Sequence, residues 1–234
     1  MSHKEKNSTN SKELEPSQQI PQAEVDKVPY YPEPVALVYH KGYIDLSRDE
    51  LISVVKKALS DHRFEHCVRV EQTAIGLARH YGVDEEAASI CGLSHDWCKE
   101  LSKSDQLKWL HKAGLSQTLS DYGSAIVHGP VAAYRLKHEY GLTHKGIYDG
   151  IWQHTIGGEH MDDLARVVFV ADYIEPKRDF SGVEIARNLA RTSLKEACDF
   201  KISHSLEHLV TTHKPIYPEA VTVYNKQVAG FQER

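Results

Sequence analysis

The sequence predicts an all-α fold, and three observations carry that prediction. From Leu46 onward apolar residues recur at spacings of three and four, the period of helices with one buried face. Start and stop signals punctuate the pattern. Ser47 with Glu50 three residues later makes a capping box, and Gly82, Gly114 and Gly141 stand where helices should end. The run Val167-Val168-Phe169-Val170 is β-branched, yet no second strand-like run exists to pair with it, so it is read as helix. Apolar on all sides, that helix is expected at the centre of a bundle.

A length of 234 residues permits one domain, or one domain with a tail. Residues 1–45 read as an N-terminal extension, largely disordered, because Met1 to Gln22 is too polar to bury a core. Pro21, Pro29, Pro32 and Pro34 interrupt the segment after it. Tyr30, Tyr31, Val35, Leu37, Val38 and Tyr39 can form a short extended piece packed on the domain, which is expected over residues 46–230.

The first helix of that domain follows Ser47, with Leu51, Val54, Val55, Ala58 and Leu59 on its apolar face. The second runs from Asp61 to Tyr81, striped by Phe64, Cys67, Val68, Ile75 and Ala78, and stops at Gly82. Asp84 caps a third helix, whose Ala87, Ala88, Ile90, Cys91 and Leu93 lead to His95. Ser104 is expected to cap a fourth, with Leu107 and Leu110 inside it and Gly114 after it. Six more are expected near 130–140, 145–155, 162–174, 182–191, 194–211 and 218–228. Pro130 is placed just inside the start of its helix, where a missing N–H costs least.

Composition narrows the function. A hydrophobic content of 41% supports a real core, but no stretch approaches the roughly 20 apolar residues of a membrane span. The polar N-terminus lacks the apolar segment of a signal peptide. A net charge of −5 argues against nucleic acid as a partner. Cys67, Cys91, Cys98 and Cys198 form no C-x-x-C pair, so a zinc ribbon or a redox motif is not expected. Free, buried thiols and a cytoplasmic location are the expectation.

The chemistry gathers around Gly92-Leu93-Ser94-His95-Asp96-Trp97-Cys98-Lys99-Glu100. Adjacent helical residues point about 100° apart, so His95 and Asp96 share one centre only near a helix end. Lys99 follows them at spacings of four and three, on the same side. Further candidates lie on helices or at their ends: His66, His128, His154 and Asp172. Taken singly, each has an ordinary explanation. His66 competes with His62 one turn earlier, and Asp172 can pair with Arg166 or Lys177. Together, four imidazoles and two carboxylates suit iron, manganese or zinc. Six ligands exceed one tetrahedral ion but fit two ions sharing a carboxylate, able to activate one water and clamp a phosphoryl group.

The order His66, His95-Asp96, Asp172 resembles the HD-domain metal-dependent phosphohydrolases. His128 in His-Gly-Pro-Val-Ala-Ala, His154 in His-Thr-Ile-Gly, Arg63-Phe64-Glu65-His66 and Asp172-Tyr173-Ile174-Glu175-Pro176-Lys177-Arg178 resemble that superfamily's YqeK branch. The resemblance spans roughly Leu46 to Gly230. It implies a single HD-domain helical bundle and symmetrical hydrolysis of diadenosine tetraphosphate to two ADP at a centre of two divalent ions, usually iron. It further implies that His66, His95, Asp96 and Asp172 hold one ion, while Asp96, His128 and His154 hold the other. Asp96 and Lys99 then serve catalysis, and Arg63, Lys99, Thr155 and Arg178 meet the substrate. Ile156 stands where the family commonly has a second threonine. The alternatives are an HD-domain hydrolase of another nucleotide, or a non-catalytic metal-stabilised nucleotide-binding protein. Oligomeric state is left open, a homodimer included.

Overall fold

The computed structural model describes residues 36–231, so the expectations for residues 1–28 and for Tyr30, Tyr31 and Val35 lie outside the described residues. Among the described residues there are ten α-helices, one 3₁₀ segment and no strand. The helices are α1 (Arg48–Ala58), α2 (Asp61–Tyr81), α3 (Glu85–Ser94), α4 (Lys103–Lys112), α5 (Ser124–Glu139), α6 (Lys145–Gln153), α7 (Asp163–Ile174), α8 (Val183–Thr192), α9 (Leu194–Thr211) and α10 (Pro218–Gln227). The 3₁₀ segment, Gln117–Tyr122, was not legible from periodicity.

Caps fix most of the boundaries. Ser47 accepts from Glu50 N while the Glu50 side chain takes the Ser47 N–H. Asp84 accepts from the N–H groups of Glu86 and Ala87, and Gly82 ends α2 in the left-handed region at φ 69°. Before α1 the chain crosses the start of α3. There His40 and Lys41 donate their N–H groups to Glu86, each at 3.0 Å, and the Tyr43 hydroxyl donates to Asp84 at 2.7 Å.

At the centre is α7, as its composition requires. It packs against α2, α3, α6, α8 and α9, and buries Leu164, Ala165, Val167, Val168, Phe169, Val170, Ala171 and Ile174. Fully burying each large side chain contributes roughly 1.5–3 kcal/mol, which overrides the modest helix propensity of its β-branched residues. At Gly92, α2 and α3 come so close that an added Cβ would lie 2.6 Å from Glu71 Cα.

Two helix starts differ from expectation. Ser102, not Ser104, caps α4, accepting from Asp105 N at 3.1 Å. Asp105, three residues after Ser102, gives that hydroxyl a second partner: Ser102 Oγ donates to Asp105 Oδ2 at 2.7 Å. Helix α5 begins at Ser124 behind Gly123, so Pro130 sits in its interior. Proline's fixed φ is compatible with a helix, but the position gives up the bond to the Ile126 carbonyl and crowds it with the ring. His128 is therefore within a helix rather than ahead of one. Helix α6 ends at Gln153, two residues earlier than expected.

Candidate metal centre

Five helices bring the six candidate ligands to one point in the core. His66 is on α2, His95 is the residue ending α3, and Asp96 follows it. His128 is on α5, His154 ends α6, and Asp172 is on α7. His66, His95, Asp96, His128 and His154 are at most 3% exposed, whereas His62 is exposed and away from the core.

Each imidazole is held by its Nδ1. The acceptors are Glu175 Oε1 for His66 at 3.2 Å, Gly92 O for His95 at 2.8 Å, Ser124 O for His128 at 2.8 Å and Ile151 O for His154 at 2.7 Å. Carbonyl and carboxylate oxygens only accept, so a neutral imidazole with its proton on Nδ1 satisfies these bonds and leaves the Nε2 lone pair for a cation. This is how ligating histidines are oriented from behind.

All four Nε2 atoms turn toward Asp96. Its Oδ1 is 2.8 Å from His128 Nε2 and 3.7 Å from His154 Nε2. Its Oδ2 is 3.8 Å from both His66 Nε2 and His95 Nε2. One carboxylate thus divides its two oxygens between two pairs of imidazoles. Asp172 Oδ1 joins the His66–His95 pair, 3.2 Å from His66 Nε2 and 3.9 Å from His95 Nε2.

The residues fit cations. His128 Nε2 and His154 Nε2 are 2.8 Å apart, two lone pairs facing each other beside a carboxylate oxygen. His95 Nε2 is buried with no hydrogen-bond partner, which is costly unless something positive satisfies it. Two groups, His66-His95-Asp96 and Asp96-His128-His154, each bring one donor atom per residue within 4.8 Å of one another. Gly129 permits the second: a Cβ there would lie 2.9 Å from Ile151 O and 3.1 Å from the His154 ring.

Electrostatics favours the ligating forms. Burial pushes the His95 imidazole down to about 3 and His128 to about 4, so both are neutral at pH 7. Burial works against an ionised Asp172, but the Lys201 ammonium, the His66 hydrogen bond and Arg178 outweigh it and hold the carboxyl well below its usual range. His66 differs: burial lowers its pKa, but hydrogen bonds to Asp172 and Glu175 prevail and raise it.

The other candidates surround this centre. Lys99 Nζ is 3.3 Å from His128 Nε2 and 3.7 Å from Asp96 Oδ1. Arg63 Nη1 donates to Asp96 Oδ2 at 2.9 Å, and Arg178 Nη2 to Asp172 Oδ1 at 2.6 Å. Thr155 Oγ1 is 3.2 Å from His154 Nε2. Asp172 thus pairs with Arg178 and Lys201, not with Arg166 or Lys177. Ile156 lines an apolar cavity next to this centre.

A match to the HD domain family spans residues 63–177, which includes every candidate ligand. A symmetrical bis(5'-nucleosyl)-tetraphosphatase of Bacillus subtilis is 36% identical over 185 residues, covering 79% of this chain and 100% of the relative. Its counterpart in Halalkalibacterium halodurans is 33% identical, covering 77% of this chain and 97% of the relative. The chain belongs to the HD-domain family, in its YqeK branch. A crystal structure from Clostridium acetobutylicum, described as an HD superfamily hydrolase involved in NAD metabolism, superposes with a TM-score of 0.75 at 26% identity, covering 80% of this chain and 99% of that one.

Two residues of this HD domain's centre carried no assigned role in the sequence. Glu175 is 2% exposed and receives Arg69 Nε at 2.7 Å while holding His66. Lys201, on α9, is 4% exposed, and its Nζ donates to Phe169 O at 2.7 Å, His154 O at 3.0 Å and Asp172 Oδ2 at 3.2 Å. Its signal was a lysine between Ala197, Cys198 and Ile202 on an apolar helix face. No helix among the described residues is long and apolar enough to cross a membrane.

Proposed function

We propose that this protein hydrolyses diadenosine tetraphosphate symmetrically to two ADP. The observation that carries the proposal is the division of Asp96 between two pairs of Nε2 atoms, each imidazole fixed from behind through Nδ1. His66, His95, Asp96 and Asp172 would hold one divalent ion, and Asp96, His128 and His154 the other. Imidazole and carboxylate donors without thiolate suit iron, with manganese or zinc as substitutes. Bound there, two such ions would make a water more acidic and neutralise phosphate oxygens.

The chain's own residues supply the rest. Lys99 keeps its ammonium beside Asp96 and His128, at the edge of the centre, where it can neutralise or protonate a departing phosphate. Arg63 and Arg178 remain part-exposed while anchored on Asp96 and Asp172, so their remaining N–H groups can grip the phosphate chain. Thr155 offers a hydroxyl next to His154. Residues 46–230 form the catalytic unit in this reading. Free thiols at Cys67, Cys91, Cys98 and Cys198 fit a cytoplasmic enzyme.

Incubating the metal-loaded protein with the dinucleotide and separating products by ion exchange tests the proposal. Two equivalents of ADP are expected. AMP with ATP would place attack at an outer phosphorus, and no product with iron, manganese or zinc would favour a binding protein. The description of the Clostridium relative makes NAD the first comparison substrate.

A further inference from the structure

Next to the centre lies a cavity of about 420 Å³, within the size range of small-molecule sites. Its walls include two groups of touching rings. Tyr122 and Tyr217 meet edge to face at 5.2 Å. Tyr173 and Phe180 lie 4.7 Å apart, and Phe180 stacks on His204 at 5.9 Å. No Asp, Glu, Lys or Arg lines it. The cavity therefore suits a flat, uncharged group, and its polar lining is His204, His208 and hydroxyls rather than the Lys or Arg that grip a phosphate chain.

It nevertheless adjoins the place where phosphate would sit. Thr155 lines the cavity and has its hydroxyl 3.2 Å from His154 Nε2. Tyr173, also in the wall, is the residue after Asp172. A ligand with one anionic and one aromatic end can therefore span from the Asp96 cluster into the cavity. Aromatic side chains hold nucleobases by stacking, with little demand for hydrogen bonds.

We infer that this cavity is the binding site for one adenine base of the dinucleotide, and that Phe180 and Tyr217 set the affinity for the nucleoside end. The inference rests on the function proposed above. The base enters between the ring groups, the ribose passes Thr155, and the phosphates stay with the centre. Since a product ADP carries the same base and two phosphates, it should occupy the site as well.

The test compares ADP with inorganic pyrophosphate on the manganese-loaded full chain, by calorimetry. Phe180→Ala and Tyr217→Leu should each weaken ADP at least tenfold and leave pyrophosphate within twofold. Equal weakening of both ligands, or of neither, in a variant that keeps the parent's circular dichroism would overturn the inference. A second measurement needs no variant. Irradiated 8-azido-ADP should label peptides containing residues 122–126, 173–180 or 204–220; labelling confined to other peptides would equally overturn it. Neither readout requires turnover. Failure to hydrolyse the dinucleotide would thus strike the proposed function alone, and failure to separate ADP from pyrophosphate would strike the cavity alone.

Discussion

The behaviour of Lys201 and Glu175 shows how single side chains prepare this centre. Lys201 holds one oxygen of Asp172 and the carbonyl of His154, so one ammonium touches both halves of the ligand set. Removing one member of a buried ionic group typically costs about 3–5 kcal/mol, because the other charge is left unpaired. Lys201→Met should therefore destabilise the chelator-treated protein strongly. The deficit should shrink when manganese is added, since the cation compensates Asp172; urea titrations with and without metal read this, and an identical deficit in both would refute it. Glu175 gives a pH dependence. Burial raises its pKa, but hydrogen bonds from His66, Arg69 and the Lys177 N–H overcome this and bring it from 4.5 down to about 2. A depressed folded-state pKa means the stabilisation is complete above pH 4.5 and is lost as the pH falls toward 2. Glu175→Gln should flatten that acid limb in thermal melts of the metal-free protein, and an unchanged acid limb would remove Glu175 from this role. The sequence exposed the six ligands because each is a polar residue in an apolar helical stretch. Glu175 stood in the Glu-Pro-Lys-Arg stretch without a role, and the three acceptors of Lys201 are on other helices, so its partnership is a tertiary fact.

Helix crossings, rather than helix lengths, decide whether these side chains meet. Most boundaries were readable because caps are local: Ser47 with Glu50, Asp84, Gly82 and Gly114 act where the sequence places them. Pro130 misled because its interior position is tolerated by the rest of α5. The close approaches at Gly92 and Gly129 depend on partners far away in sequence, and no periodicity reports them. The two glycines should respond differently. Gly92→Ala drives a methyl into the α2 backbone and should cost about 1–3 kcal/mol of stability. Gly129→Ala presses on Ile151 O and the His154 ring, so it should weaken metal retention in the second group more than it lowers the thermal midpoint. Parallel melts and chelator competition distinguish them; equal metal retention in both variants would show that α5 and α6 need not be so close.

For the molecule as a whole, the all-α class followed from period and from the lack of a partner for Val167–Val170, and α7 is central for the reason its composition gives. What the bundle adds is convergence: five helices bring five other ligand residues around Asp96. The central claim is that this carboxylate serves two cations at once. Elemental analysis of anaerobically purified protein and its variants tests it most directly. Two metal ions per chain are expected in the parent, and one in His128→Ala and in His154→Ala, with the helical circular dichroism retained. Unchanged metal content in both variants, or a parent that never binds more than one ion, would contradict the division of Asp96 between two sites.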